Sequence, residues 1–178
     1  MYDVFISWSG ELGAEIGSKL ADLISGRCGL CRGYVKTYFS KERFVNNSYA
    51  VLNAALESCK VFIGILTNEY YESQWTPYEF GKSKADYFLY LDFVQNKEVN
   101  DLFERSPYRN NSKYDYSKKV LLELIKEIDK RYSKEPNEGL IEQLIEEKWN
   151  VFDASIVEIR RKAIVDKATQ SGILNTNR

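Results

Sequence analysis

Short apolar runs alternate with helical stripes along most of this 178-residue chain. Four runs rich in β-branched and aromatic residues have the length of strands; they cover residues 2–7, 34–39, 61–67 and 87–93. Between and after them, apolar residues recur every three or four positions, as on one face of a helix, in residues 11–25, 51–56 and 116–132. This alternation predicts an α/β fold with a flavodoxin-like parallel sheet of about five strands and helices on both faces.

The polar stretches divide the chain. Residues 40–47 are mostly polar, with Phe44 their one aromatic residue, and predict an exposed loop. Residues 95–111 are polar with little periodicity. After a break rich in turn residues, apolar residues return at helical spacing and predict one long amphipathic helix or two shorter ones. The predicted organisation is a domain over residues 1–132, a linker over 133–139, a helical extension over 140–168 and a flexible tail over 169–178.

The apolar stripe of the extension, residues 140–168, needs a cover, because exposed apolar surface of this length is unusual. Two interpretations are open. The helix packs back on the domain, or it forms an oligomerisation surface.

Charge and hydropathy exclude several partners. Lys plus Arg number 25 and Asp plus Glu 26, a formal net charge of −1, so no overall field attracts nucleic acid or anionic lipid. No apolar stretch approaches the roughly 20 residues needed to span a bilayer, and the first residues read as a strand and not as an export signal. We therefore expect a soluble, cytoplasmic protein that binds neither nucleic acid nor membrane.

Cysteine and histidine content narrows the chemistry. The three cysteines are an odd number in a chain without an export signal, which argues against a disulfide framework. Cys28 and Cys31 have the spacing of a metal or redox pair, although a glycine-rich turn explains them more simply. The chain has no histidine, which removes Ser/His/Asp and Cys/His nucleophiles and most catalytic zinc sites. We expect no metal and no cofactor, and any enzyme would use a carboxylate, lysine or tyrosine.

Ligands of open parallel sheets bind outside the carboxyl ends of the strands. The predicted ends are residues 7–10, 40–47, 67–79 and 92–93. Neither a Gly-x-Gly-x-x-Gly nor a Walker-type phosphate loop is present there, but one carboxylate, Glu79, lies near Trp8, Trp75 and Tyr78. The Trp75/Glu79 pair fits the ordinary first turn of a helix. It also fits a site in which rings stack on a base or pyridinium and the carboxylate holds ribose hydroxyls, as glycosidic-bond chemistry requires.

Two stretches carry a family pattern. The first strand reads Tyr2-Asp-Val-Phe-Ile-Ser-Trp8, and the second stretch reads Trp75-x-x-x-Glu79 followed by Phe80-Gly81-x-Ser83-Lys84. The first resembles the opening box of Toll/interleukin-1 receptor (TIR) domains, and the second is similar to a pattern of bacterial TIR proteins. The resemblance covers about residues 1–132 and leaves the extension unexplained.

The resemblance implies roles for particular residues. Glu79 matches the catalytic glutamate of NAD⁺ cleavage in enzymatic TIR domains, with Trp75 beside it in the substrate site. The loop that lines the pocket in the family matches Ser7, Trp8, Ser9 and Gly10. The loop that reaches a neighbouring protomer in the family matches residues 40–47, including Glu42 and Phe44, and Tyr49 stands where the family often has an aromatic residue.

The resemblance also implies a function. We expect an NAD⁺ glycohydrolase or ADP-ribosyl cyclase, with NAD⁺ as substrate, that self-associates through its TIR loops, answers to an effector or sensor protein and serves anti-phage defence. No residue decides between hydrolase and cyclase. A non-catalytic TIR interaction module is the alternative, and an unrelated α/β nucleotide-binding protein is a third. The presence of both Trp75 and Glu79 favours the enzyme, since a scaffold needs neither.

Overall fold

Five parallel strands form one sheet in the order β2-β1-β3-β4-β5, with consecutive neighbours hydrogen-bonded. The computed structural model describes residues 2–25, 30–31, 35–39 and 48–170. The strands are β1 (Val4–Ser7), β2 (Thr37–Tyr38), β3 (Val61–Leu66), β4 (Tyr87–Asp92) and β5 (Ser112–Asp115). The order 2-1-3-4-5 is that of flavodoxin-like folds, so the predicted fold class is confirmed.

Helices cover both faces of the sheet. They are α1 (Gly10–Ser25), α2 (Ser48–Ser58), α3 (Asn68–Glu72), α4 (Trp75–Lys82), α5 (Lys97–Arg105), α6 (Lys118–Tyr132) and α7 (Glu138–Gln170). The central strand β3 is buried at all of its positions, which is why it reads as an unbroken apolar run and not as an alternating one.

Successive strand residues point to opposite faces and so build two cores. On one face, Val4 and Ile6 join apolar residues of α1, α6 and α7. On the other, Phe5 joins residues of α2, α3 and α5 together with a group of buried tyrosines. The tyrosine-rich core lies beneath the candidate site.

The extension is one helix of 33 residues, about 50 Å long. It packs against α1 and α6, and its buried residues are Ile141, Ile145, Phe152 and Ile156. The Trp149 ring stacks on Tyr116 with centroids 5.6 Å apart. Near its end, Lys162 pairs with Glu15 and Lys167 with Glu69. The C-terminal half of α7 therefore lies beside the elements that follow β1 and β3, at the carboxyl edge of the sheet.

The prediction of an aperiodic polar stretch over residues 95–111 is wrong, because α5 lies within it. Only Val99 and Phe103, four residues apart, supply its buried face, and the Asn96 side chain caps it by accepting from the Val99 amide at 2.8 Å. Three apolar residues within a single turn of a nine-residue helix, flanked by polar residues on both sides, form too short a stripe to stand out in sequence.

Other boundaries shift by a few residues. The sequence predicts about five strands but locates only four. The fifth, β5, is an edge strand whose polar, mostly exposed residues give no strand signal. A short helix, α3, lies in the stretch between β3 and α4, and α4 begins at Trp75 and ends at Lys82. Helix α7 begins inside the predicted linker and ends inside the predicted tail. Cys28, residues 40–47 and residues 171–178 lie outside the described residues.

Among the described residues, no helix combines the length and the apolar character needed to cross a bilayer.

Candidate active site

Glu79 lies on α4, and its side chain is turned inward towards the end of β1. It is 4% exposed. The hydroxyl of Ser7, the last residue of β1, donates to Glu79 Oε2 at 2.5 Å, and Ser7 is itself fully buried. Hydrogen bonds to a carboxylate are stronger than those between neutral groups. The fold thus holds a buried carboxylate in a defined orientation at the carboxyl edge of the sheet.

Tyr70 on α3 is the third member of this cluster, with its hydroxyl 3.0 Å from Ser7 Oγ. Because the single proton of Ser7 points to Glu79, the Tyr70 hydroxyl is the donor in this pair. Burial raises the pKa of Tyr70 well above its ordinary value. Tyr70 therefore stays protonated, and a chain of donated hydrogen bonds runs from Tyr70 through Ser7 to Glu79.

A glycine provides the space in which these hydrogen-bonded side chains pack. Gly64 of β3 pairs with Ser7 on one side and with Tyr90 on the other. A Cβ atom at position 64 would lie 2.4 Å from Cδ1 of the Tyr90 ring and 3.0 Å from the Tyr70 hydroxyl oxygen. The missing side chain of Gly64 is what lets the two tyrosines pack on the sheet so close to Ser7.

Thr76 and Tyr108 tie α4 to the same cluster. The Thr76 hydroxyl donates to the Tyr70 carbonyl oxygen at 2.8 Å, and the Tyr108 hydroxyl donates to Thr76 Oγ1 at 3.1 Å. Burial raises the pKa of Tyr108, and the negative charge of Glu79 raises it further. By contrast, the Tyr90 hydroxyl is buried and finds no hydrogen-bond partner in the part of the chain that the structure describes.

An aromatic surface lies where α4 meets α2, next to Glu79 in sequence. The Tyr49 and Tyr78 hydroxyls lie 2.6 Å apart, and Tyr78 donates to Asn53 Oδ1 at 2.7 Å. The Trp75 ring meets Tyr78 edge to face, with centroids 5.9 Å apart. Two of the predicted aromatic site residues, Tyr49 and Trp75, are thus linked through Tyr78, one residue before Glu79.

The remaining predicted site residues are placed differently. The Trp8 ring packs against Phe39, with centroids 5.6 Å apart, on the α1 side of the sheet. Ser9 accepts a hydrogen bond from Thr67 through its carbonyl oxygen, and Gly10 starts α1 with a φ of +71°, a conformation that favours glycine. Glu42 and Phe44 lie outside the described residues.

Ser7 differs from its expected role as a substrate contact. Its hydroxyl is engaged by Glu79 and Tyr70 inside the protein, so it holds the carboxylate instead of lining an open pocket. Tyr70, Thr76 and Tyr108 were not identified from the sequence. Two adjacent tyrosines in the polar stretch directly after β3 are the signal that could have pointed to Tyr70.

Within the described ranges, no group of three or more histidine, cysteine, aspartate or glutamate side chains could hold a metal ion. The reactive inventory of the site is one buried carboxylate, its serine, neutral tyrosine hydroxyls and an aromatic surface. A carboxylate of this kind can accept hydrogen bonds from ribose hydroxyls and stabilise a positive charge that develops beside it.

Comparisons with models of protein families, with curated proteins and with solved structures found no match to this chain. The function of the site is therefore inferred from its residues and contacts and from the two sequence boxes around Ser7 and Glu79.

Proposed function

We propose that this chain is a TIR-type enzyme of the cytoplasm that cleaves NAD⁺ at the bond between nicotinamide and ribose, as a glycohydrolase or an ADP-ribosyl cyclase. The observation that carries the proposal is the buried carboxylate of Glu79, held by Ser7 at 2.5 Å at the carboxyl edge of an open parallel sheet. That edge is where such folds bind nucleotides. The sequence boxes around Ser7 and Glu79 support the same function.

In the proposed reaction the bond between the ribosyl C1′ and the pyridinium nitrogen breaks, and its electron pair neutralises the nicotinamide. No strong general acid is needed, because the leaving group departs uncharged. The positive charge passes to the ribosyl ring, where the Glu79 carboxylate stabilises it and holds ribose hydroxyls. Water then attacks C1′ and releases a proton, giving ADP-ribose, or a nucleophile of the same substrate attacks and gives a cyclic isomer.

The surrounding residues orient the carboxylate and receive the rings. Ser7 and Tyr70 keep Glu79 in one orientation, which lowers the reorganisation needed as charge develops. Trp75 and Tyr78 offer faces and edges suited to a nicotinamide or adenine ring. Self-association, an effector or sensor protein and a role in anti-phage defence belong to the same proposal, since the family resemblance supports them.

The test follows nicotinamide release from NAD⁺ by chromatography at high protein concentration, for the wild type, Glu79→Gln and Glu72→Gln. Glu72 is a matched control, because it is an exposed glutamate on the neighbouring helix α3. Glu79→Gln keeps the shape of the side chain but removes its charge, so release should fall by at least about 100-fold, the size of effect seen when one electrostatic contact to a transition state is lost. Glu72→Gln should match the wild type.

Equal release by Glu79→Gln and the wild type would overturn the role of Glu79. If the folded wild type releases no nicotinamide, even when a macromolecular crowding agent is added, the non-catalytic interaction module would be favoured. The exposed apolar face of α7, described below, is the observation that favours that second function.

A further inference from the structure

Helix α7 carries an apolar face that the rest of the described chain leaves exposed. Its inner face, with Phe152 and Ile156, is buried against the domain. On the opposite side, within residues 151–168, four large apolar side chains are exposed: Val151 (77%), Val157 (54%), Ile164 (69%) and Val165 (42%). Ala154 lies between them and Ala168 follows them, both at helical spacing. Single exposed apolar residues are ordinary, but a row along one helix face marks an interaction surface.

Two charged residues lie within this outer face, and they have opposite signs. Arg161 Nη2 lies 2.9 Å from Glu158 Oε1 at the middle of the row. We propose that the outer face of α7, residues 151–168, pairs with the same face of a second copy of the chain, with the two helices antiparallel about a two-fold axis near residue 159.

The order of residues makes this face complementary to itself when it is reversed. Around an axis near residue 159, Arg161 lies opposite Glu158 of the second copy, and the symmetry repeats the pair. The same register sets Ala154 opposite Val165 of the second copy, and Val151 opposite Ala168 of the second copy. Small residues facing larger ones let two helices approach closely. The interface then contains two ion pairs and a row in which small and large apolar residues alternate. The two-fold axis repeats every contact, as in any isologous interface.

A parallel pair lacks these features. It would set Glu158 against Glu158, Arg161 against Arg161 and Ala154 against Ala154 of the second copy, which joins like charges and leaves gaps between small residues. The antiparallel pair is also sterically open, because the outer face points away from the domain. The two domains would lie on opposite sides of the helix pair.

An anionic membrane fits this helix less well than a second copy does. Between Glu138 and Gln170, α7 has seven acidic and five basic side chains, so it repels an anionic surface. A reversed copy offers each of the two charges of the row an opposite charge, in addition to the pair that Glu158 and Arg161 form within the helix.

Sedimentation velocity over a range of protein concentrations tests the proposal with charge variants. The wild type should reach a dimer. Arg161→Glu places four glutamates at the seam and should lower dimer affinity by at least about tenfold, and adding Glu158→Arg to it should restore the dimer by exchanging the two charges. Lys97→Glu is a control that makes the same charge change at an exposed position on α5, and it should leave the dimer intact. Far-ultraviolet circular dichroism shows whether each variant keeps its helix content.

A wild type that stays monomeric at all concentrations, or that binds anionic vesicles as a monomer, would overturn the proposal. So would an Arg161→Glu variant that dimerises as well as the wild type. Orientation is read from cysteine variants: a mixture of Ala154→Cys and Val165→Cys should form the mixed disulfide in excess. The unmodified chain, which keeps its three native cysteines, gives the background. An excess of disulfides between two copies of Ala154→Cys would overturn the antiparallel arrangement.

Discussion

Two buried tyrosines beside the site differ in what their hydroxyls do, and this difference can be measured. Tyr70 donates towards Ser7, whereas the Tyr90 hydroxyl has no partner among the described residues. Tyr70→Phe should lower the free energy of unfolding by about 1 kcal/mol, while Tyr90→Phe should be neutral or stabilising because it removes an unsatisfied group. Urea denaturation of both variants measures the contrast, and equal losses of stability would contradict the assigned chain of hydrogen bonds.

Tyr70→Phe should also lower nicotinamide release. Without the Tyr70 hydroxyl, Ser7 loses one of the two contacts that fix its hydroxyl towards Glu79, so the carboxylate is held less firmly. Tyr90→Phe leaves the hydrogen bonds from Tyr70 through Ser7 to Glu79 in place and should keep the release of the wild type. An equal fall in both variants would mean that packing, and not these hydrogen bonds, supports Glu79.

Sequence reasoning singled out Glu79 but could not find its support. The spacing of Trp75 and Glu79 is local and visible in the chain, and so is the end of the first strand at Ser7. The contact between Ser7 and Glu79 joins residues 72 positions apart, and the burial of Tyr70 follows from the space above Gly64. Nothing in a polar stretch that contains two tyrosines says which of them faces the core.

At the level of elements, Gly64 controls how α3 sits on the sheet. Gly64→Ala adds a methyl group 2.4 Å from the Tyr90 ring and 3.0 Å from the Tyr70 hydroxyl oxygen. Both rings are fully buried and cannot swing outward, so α3 or β4 must move. We expect a loss of about 1–3 kcal/mol in the free energy of unfolding, as overpacked cores show, together with reduced nicotinamide release.

Gly81→Ala is the matched control, because a Cβ at position 81 meets nothing within 4 Å. Gly81 lies on α4, where alanine has the higher helix propensity, so this variant should be unchanged or slightly more stable. A Gly64→Ala variant as stable as the wild type would show that the tyrosines can adjust to the added methyl group.

Elements with dense apolar patterns could be predicted, and sparse ones could not. Strands β1, β3 and β4 were located to within a few residues, because burial on both faces of the sheet leaves an apolar run. Helices α1 and α6 were located as closely, because each buries a regular apolar stripe. Helix α5 and strand β5 lie towards the sheet edge and contribute few buried side chains, so tertiary contacts and caps decide their structure.

At the scale of the whole molecule, the buried tyrosines set an alkaline limit on stability. Burial raises the pKa of Tyr70, Tyr90 and Tyr108 above the ordinary value of 10. In the unfolded chain these tyrosines ionise near pH 10, while the folded protein keeps them protonated. Their contribution is therefore fully present below about pH 10 and is lost as the pH rises further. Above about pH 10, each of these tyrosines should lower the free energy of unfolding by about 1.4 kcal/mol per pH unit.

Urea midpoints measured from about pH 8 to about pH 11, with tyrosinate absorbance followed in parallel, test this limit. The midpoint should be flat at first and then fall, and absorbance from these tyrosines should rise only with unfolding. Tyr90→Phe should make the slope shallower, since one of the tyrosines whose pKa is raised by burial is gone. Tyrosinate absorbance that rises fully before unfolding would contradict their assigned burial.

The strand order has a consequence for how the chain assembles as it is made. β1 is synthesised before the other strands and lies between β2 and β3, and every later strand joins an edge that is still open. No strand has to insert between two that are already paired, so the sheet can grow outward in the order of translation. Helix α7 follows the whole sheet, and until it docks, the apolar surfaces of α1 and α6 that receive Ile145 and Phe152 stay uncovered. A nascent chain that pauses before α7 should therefore be the form that chaperones bind most strongly.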